Sequence, residues 1–183
     1  VMTLAPYGVF CLMAKTFAEQ GIGLIIPMAG YFLAVAATLV IHATGTYGTI
    51  LTFCGVNAIR FYDKLRRVQL FAFSTASSNA TIPVTLKNTE ERLGVDKSMA
   101  SFIVPFGATI NMDGTAIMQG IATVFIANVY GIELGMVDYL TVIGMSVLAS
   151  VGTAGVPGVG LIMLTMVFTQ VGLPVEGLSL IHI

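Results

Sequence analysis

Charge is what this chain has least of. Of its 183 residues only 9% are charged, against about 25% in an average soluble domain, while 56% are hydrophobic. That shortage excludes an ordinary soluble surface. Positive charge is missing from most of the length as well. Arg60, Lys64, Arg66, Arg67, Lys87, Arg92 and Lys97 lie in one window, only Lys15 precedes it, and no Lys or Arg follows it. The net charge of −1, with no basic stripe, argues against a nucleic-acid partner. Cys11 and Cys54 have no CxxC spacing, so they read as small buried hydrophobes, not as a disulfide or metal pair. His42 and His182 are isolated, and His42 reads as a helix-end residue. No cleavable signal is visible; the chain opens inside an apolar segment.

What is present is a series of apolar stretches long enough to cross a ~30 Å hydrocarbon core. The fold class that follows is all-α and polytopic in a membrane. By the positive-inside rule the 60–97 window flanks the cytoplasmic face. Glu133, Asp138 and Glu176 mark the later turns. Residues 1–20 form an apolar helix, or the end of one, closed by Gly21. Residues 22–54 form a tilted span with soft points at Pro27 and Gly30. Residues 57–93 form two short helical pieces around the polar break Ser74–Thr81. Asp96 caps a span over 97–131 that is interrupted at 107–115. Residues 138–172 form two more short pieces around a Gly-rich tip at 152–160.

Pieces of about 14–18 residues reach roughly 21–27 Å, short of a full crossing. A pair of them with a polar or glycine-rich tip therefore reads as a re-entrant hairpin, because irregular backbone at membrane depth must be enclosed by protein or line a cavity. The first hairpin enters from the cytoplasm. The span 97–131 crosses outward, so the second enters from outside. Two hairpins aimed at one interrupted helix from opposite faces are the pattern of an inverted-repeat transporter.

The chemistry concentrates at three places. Asp113 has no Lys or Arg within fifteen residues on either side. A carboxylate at the centre of a membrane helix costs about 2.5–3.5 kcal/mol. Gly107, Asn111 and Gly114 loosen the helix around it, and a carboxylate beside bare carbonyls suits a hard cation. The first tip, Ser74 to Pro83, reads as a half-helix N-terminus with Pro83 in its first turn, an end that attracts anions such as a substrate carboxylate. The second tip, Gly152 to Gly160, lacks the Lys-Ser/Thr of a phosphate loop and reads as a flexible gate. No second acid lies mid-span, which argues against an intramembrane protease. A re-entrant-loop channel stays as a remote alternative.

Three of these segments carry a resemblance: Asn111-Met112-Asp113-Gly114-Thr115, the serine-rich tip ending Ala80-Thr81-Ile82-Pro83-Val84-Thr85, and Gly152-Thr153-Ala154-Gly155-Val156-Pro157-Gly158. Together, and in this order, they resemble the dicarboxylate/amino acid:cation symporters, which include bacterial and archaeal glutamate/aspartate transporters and the excitatory amino-acid transporters. The likeness runs from about Leu4 to Glu176. It implies an elevator-type transporter, not an enzyme, multi-pass in the inner cell membrane. It further implies that residues 1–21 are a scaffold helix of a homotrimer and 22–177 a partial transport domain. Ala76, Ser77, Ser78, Thr115, Val156, Pro157, Gly158, Val159 and Gly160 would contact an amino-acid substrate. Gly107, Thr109, Asn111, Asp113, Ser150, Val151 and Thr153 would hold sodium as the coupling ion, with no other cofactor.

The implied function is sodium-coupled import of an acidic amino acid. Proton coupling, or a neutral amino acid or C4-dicarboxylate substrate, is the alternative. Some departures from the family pattern are visible. Residues 178–183 look atypical, and the family's first four helices and its eighth are not found, so the chain reads as truncated. Ala76 stands where some archaeal members carry Arg. Gln119 stands where animal glutamate carriers have a Glu, which argues against potassium counter-transport.

Overall fold

A computed structural model describes residues 25–181 continuously, together with residues 10, 11, 14, 18, 21 and 23. Apart from residues 10, 11, 14 and 18, the expected helix over 1–20 lies outside the described residues, as do the last two residues of the tail. All regular structure among the described residues is helical.

The first span is α1 (Ile25–Ile41), a π-helical segment (His42–Tyr47) and α2 (Gly48–Phe53), joined without a break. At ~1.5 Å per residue its 29 residues reach about 43 Å, enough for a tilted crossing, and none is buried within the chain. Pro27 sits in the first turn, where its missing N–H is harmless, and Gly30 does not interrupt α1. The irregularity lies further on, at the π-helical turns.

Helix α3 (Ala58–Thr75) starts at Asn57, whose side chain accepts the Arg60 N–H at 3.0 Å. It ends at Ala76, which adopts the left-handed conformation at φ 47°. Two residues later α4 (Ser78–Glu91) begins, with the Ser77 hydroxyl accepting the Ala80 N–H at 3.2 Å. The polar break is thus narrower than the sequence suggests. Pro83 is also displaced from its expected place: it is the sixth residue of α4, not in the first turn. Serine capping at Ser77 starts the helix earlier, and the proline then leaves the Asn79 carbonyl without its i+4 donor.

Asp96 caps α5 (Lys97–Ile110) as expected, accepting the Ser98 N–H at 2.9 Å. Only Asn111 and Met112 leave helical geometry before α6 (Asp113–Val129) resumes. Gly107 and Gly114 stay inside helices. Helix α7 (Met136–Val151) begins with Asp138 accepting the Gly135 N–H at 2.8 Å, and α8 (Val159–Gln170) begins after Gly158 at φ 84°. A short α9 (Leu178–Ile181) closes the described chain.

Helix α3 packs on α4 and α4 on α5; α6, α7 and α8 pack on one another, and α1 lies along α6. The core belongs to the second group. Ala122, Ile126, Val142, Leu164, Val167, Phe168, Leu180 and Ile181 form it. Gly177 is admitted because any Cβ there would stand 2.7 Å from Ile126 Cγ2. Cys11 and Cys54 are free, as expected, but exposed on the isolated chain, not buried.

Candidate functional site

The site is built where α5 breaks. Asn111 (φ −118°, ψ 78°) and Met112 (φ −113°, ψ 57°) leave helical geometry, so the last turn of α5 keeps carbonyls without in-helix partners, and α6 opens with Asp113 at its positive N-terminal end. Asp113 is not unpartnered. His42 Nε2 lies 3.1 Å from its Oδ2, and the Tyr47 hydroxyl donates to the same oxygen. The carboxylate is 34% exposed and the imidazole 25%. Both contacts end on Oδ2, so Oδ1 keeps lone pairs for a further ligand.

His42 is therefore not a helix-end residue. It stands in mid-span, at the start of the π-helical segment. A π turn advances five residues per bond, which brings His42 and Tyr47 onto one face; their rings meet edge to face with centroids 4.9 Å apart. Such single turns recur at functional sites. Sequence reasoning missed both residues, although a signal was available. His42, Thr44, Thr46 and Tyr47 are a polar patch in an apolar span, open to the argument that singles out Asp113.

The two tips meet. The Gly155 carbonyl accepts the Ser77 hydroxyl at 2.7 Å and the Asn79 N–H at 3.0 Å. A Cβ on Gly155 would stand 2.7 Å from Asn79 Oδ1 and 3.0 Å from Ser78 Cβ, so only glycine allows this approach. Ser77 and Thr153 are buried; Ala76, Ser78, Val156, Pro157 and Gly158 are exposed around the junction. Thr115, in the first turn of α6, stands against Gly160 of α8, where a Cβ would meet its Cγ2 at 3.2 Å. Val159 and Gly160 open α8, and the Gly160 carbonyl accepts the Gln119 amide at 3.0 Å. Gln119 is fully buried, and its Oε1 has no partner among the described residues. Asn79, Gly155 and Gln119 were not on the expected contact list, and nothing local in the sequence points to their cross-chain bonds.

The residues expected to hold sodium are less closely gathered. Gly107 and Thr109 lie in the last turn of α5, and the Gly107 carbonyl already accepts the Asn111 N–H at 3.0 Å. Ser150 and Val151 end α7, which touches α5. The Thr109, Ser150 and Thr153 hydroxyls donate to carbonyls of their own helical turns, Pro105, Val147 and Ala149. Among the described residues no side-chain bond joins these groups to Asp113. No group of three His, Cys, Asp or Glu side chains suited to a metal ion occurs among them either.

Similarity to known proteins fits this arrangement. The family model described as the sodium:dicarboxylate symporter family matches residues 1–182. The match takes in all but one residue of the tail that the motifs alone set apart as atypical. The chain is 40% identical over 184 residues to the "Excitatory amino acid transporter" of Caenorhabditis elegans, covering 99% of this chain and 37% of that protein. It is 33% identical over 181 residues to the "Proton/sodium-glutamate symport protein" of Bacillus caldotenax, covering 99% and 43%. It is 37% identical over 185 residues to the human "Excitatory amino acid transporter 2", covering 99% and 32%. The chain thus spans less than half the length of these relatives. Their family consists of transporters, not enzymes. On a match over nearly its whole length, the chain belongs to the sodium:dicarboxylate symporter family.

Proposed function

We propose that this membrane protein imports an acidic amino acid, glutamate or aspartate, coupled to sodium by alternating access. One observation carries the reading: the two tips close on each other through Gly155 beside a broken helix whose first residue is a carboxylate. A cation at Asp113 and the carbonyls of the break would neutralise the carboxylate. Substrate would lie between Ser77 and Ser78 on one side and Val156 to Gly160 on the other, with Thr115 below it. Gly107, Thr109, Asn111, Ser150, Val151 and Thr153 would supply further oxygen ligands to sodium. In this reading α3–α4 and α7–α8 are re-entrant hairpins of an elevator-type transport domain in the inner cell membrane, the residues before Ile25 include a trimer scaffold helix, and the mobile domain carries the closed site across the bilayer.

Proton coupling is favoured by a separate observation, the contact of His42 with Asp113. Uptake of labelled L-aspartate into proteoliposomes separates the two readings. A sodium gradient drives accumulation if sodium couples, and a pH gradient alone drives it if protons do. Absence of uptake under both would sink the proposal. Asp113→Asn is expected to weaken sodium-dependent substrate binding more than about tenfold, or ~1.4 kcal/mol, in calorimetric titrations at several sodium concentrations. An unchanged sodium dependence would remove Asp113 from the cation site.

A further inference from the structure

We propose that the cleft between the basic ends of α3 and α4 binds the phosphate headgroup of an anionic membrane lipid. The cleft has a volume of about 350 Å³ and is lined by Arg67 from α3 and by Lys87, Asn88, Glu91 and Arg92 from α4 and its cap. Three cations thus face one carboxylate. That carboxylate, Glu91, lies 3.9 Å from Lys87 Nζ, with both side chains well exposed. Among the described residues neither Arg67 nor Arg92 has an ion-pair partner, and Asp63, one turn before Arg67, makes no bridge to it. Asn88 is only 6% exposed, and its Nδ2 has no hydrogen-bond partner among the described residues. Two guanidinium forks, an ammonium and an unused amide donor match the acceptor oxygens of a phosphate, and guanidinium is the group best shaped for them. Basic pockets between helices at the cytoplasmic interface are where phosphorylated headgroups bind.

The position favours a lipid over a soluble phosphate. Beyond Arg67 the same helix exposes Leu70 and Phe73, at 60% and 90%. At ~1.5 Å per residue Phe73 lies about 9 Å deeper than Arg67, so an acyl chain can run along α3 while its headgroup occupies the cleft. The placement rests on the cytoplasmic orientation expected from the Lys and Arg window at 60–97.

The test uses the purified protein in detergent micelles, with bound lipid followed by native mass spectrometry. Dioctanoyl phosphatidylglycerol and dioctanoyl phosphatidylcholine are titrated separately, then phosphatidylglycerol with millimolar inorganic phosphate present. Each basic residue near an anionic group is worth about fivefold in affinity. Phosphatidylglycerol should bind at least about tenfold more tightly than phosphatidylcholine. Arg67→Gln with Arg92→Gln should lose at least about tenfold, and Arg60→Gln with Arg66→Gln, outside the cleft, less than about threefold. Should the first double variant fail to fold by circular dichroism, the exposed Lys87→Gln alone should lose about fivefold. Equal losses in both double variants, equal binding of the two lipids, or an unaffected Lys87→Gln would overturn the proposal. Displacement by inorganic phosphate would make the ligand a soluble anion and overturn the lipid assignment. Micelles hold no gradient, so failure here leaves the transport reading standing, and failed uptake leaves the cleft standing.

Discussion

The two helix pairs that meet at Gly155 are built on opposite principles. The pair α3–α4 buries no apolar side chain; Thr81 and Asn88 are its buried residues, and its outer end carries most of the basic charge. The pair α7–α8 contributes Val142, Ala149, Leu164, Val167 and Phe168 to the core against α6. At the tips the contrast reverses. Ser77 fixes the first tip with a side-chain cap and a buried hydroxyl. The second tip has no side-chain cap and turns through Gly158 in the left-handed region. So the pair with the better-packed body has the looser tip. In the proposed transport reading that combination suits a gate, since the moving end must cost little while the rest holds its place.

The largest expected effect tests the bodies. Phe168 is fully buried and Phe73 is 90% exposed. Phe168→Ala should cost about 3–5 kcal/mol in denaturant unfolding in detergent, and Phe73→Ala less than about 0.5 kcal/mol. Similar costs would erase the contrast between the pairs. Next comes the junction. Gly155→Ala places a methyl group 2.7 Å from Asn79 Oδ1 and should cost about 1–3 kcal/mol. Spin labels at Ala80 and Ala154, both exposed, should then report a longer distance than in the unsubstituted tip; an unchanged distance would mean that the tips tolerate a side chain and are not closely joined. The smallest effect is one of access. With Cys11 and Cys54 replaced, a cysteine at Ala80 should react faster from the cytoplasm and one at Ala154 from outside. Both reacting from the same face alone would contradict the opposed entry of the two pairs.

Much of the secondary structure was legible because it is written in local chemistry. Asp96 is a capping residue beside apolar sequence, and it caps. The breaks fall at Ala76-Ser77, at Asn111-Met112 and in the glycine-rich run 152–158, inside the expected intervals but shorter. The expected interval was too wide at 107–115 because glycines tolerate a helix when both sides continue it; two residues sufficed to break it. Pro83 was misplaced because a serine cap six residues earlier outweighs a proline's preference for the first turn. His42 was misread because its isolation in sequence says nothing about what another helix brings to it.

Local sequence by itself determined that this chain is helical, the intervals within which its helices stop, and that a carboxylate must stand in an apolar setting; its motifs also determined the family. These follow from backbone conformational preference, capping and the cost of burying charge, which act within a few residues. Tertiary structure decided what those features touch. Asp113 finds His42 across 71 residues, and Gly155 finds Ser77 across 78. The π turn at 42–47 changes the phase of the first span, so that His42 and Tyr47 share the face that meets α6. The polar patch His42, Thr44, Thr46 and Tyr47 marks the place in the sequence, but not the change of helical phase. Only the packing of α1 along α6 determines which face carries the chemistry.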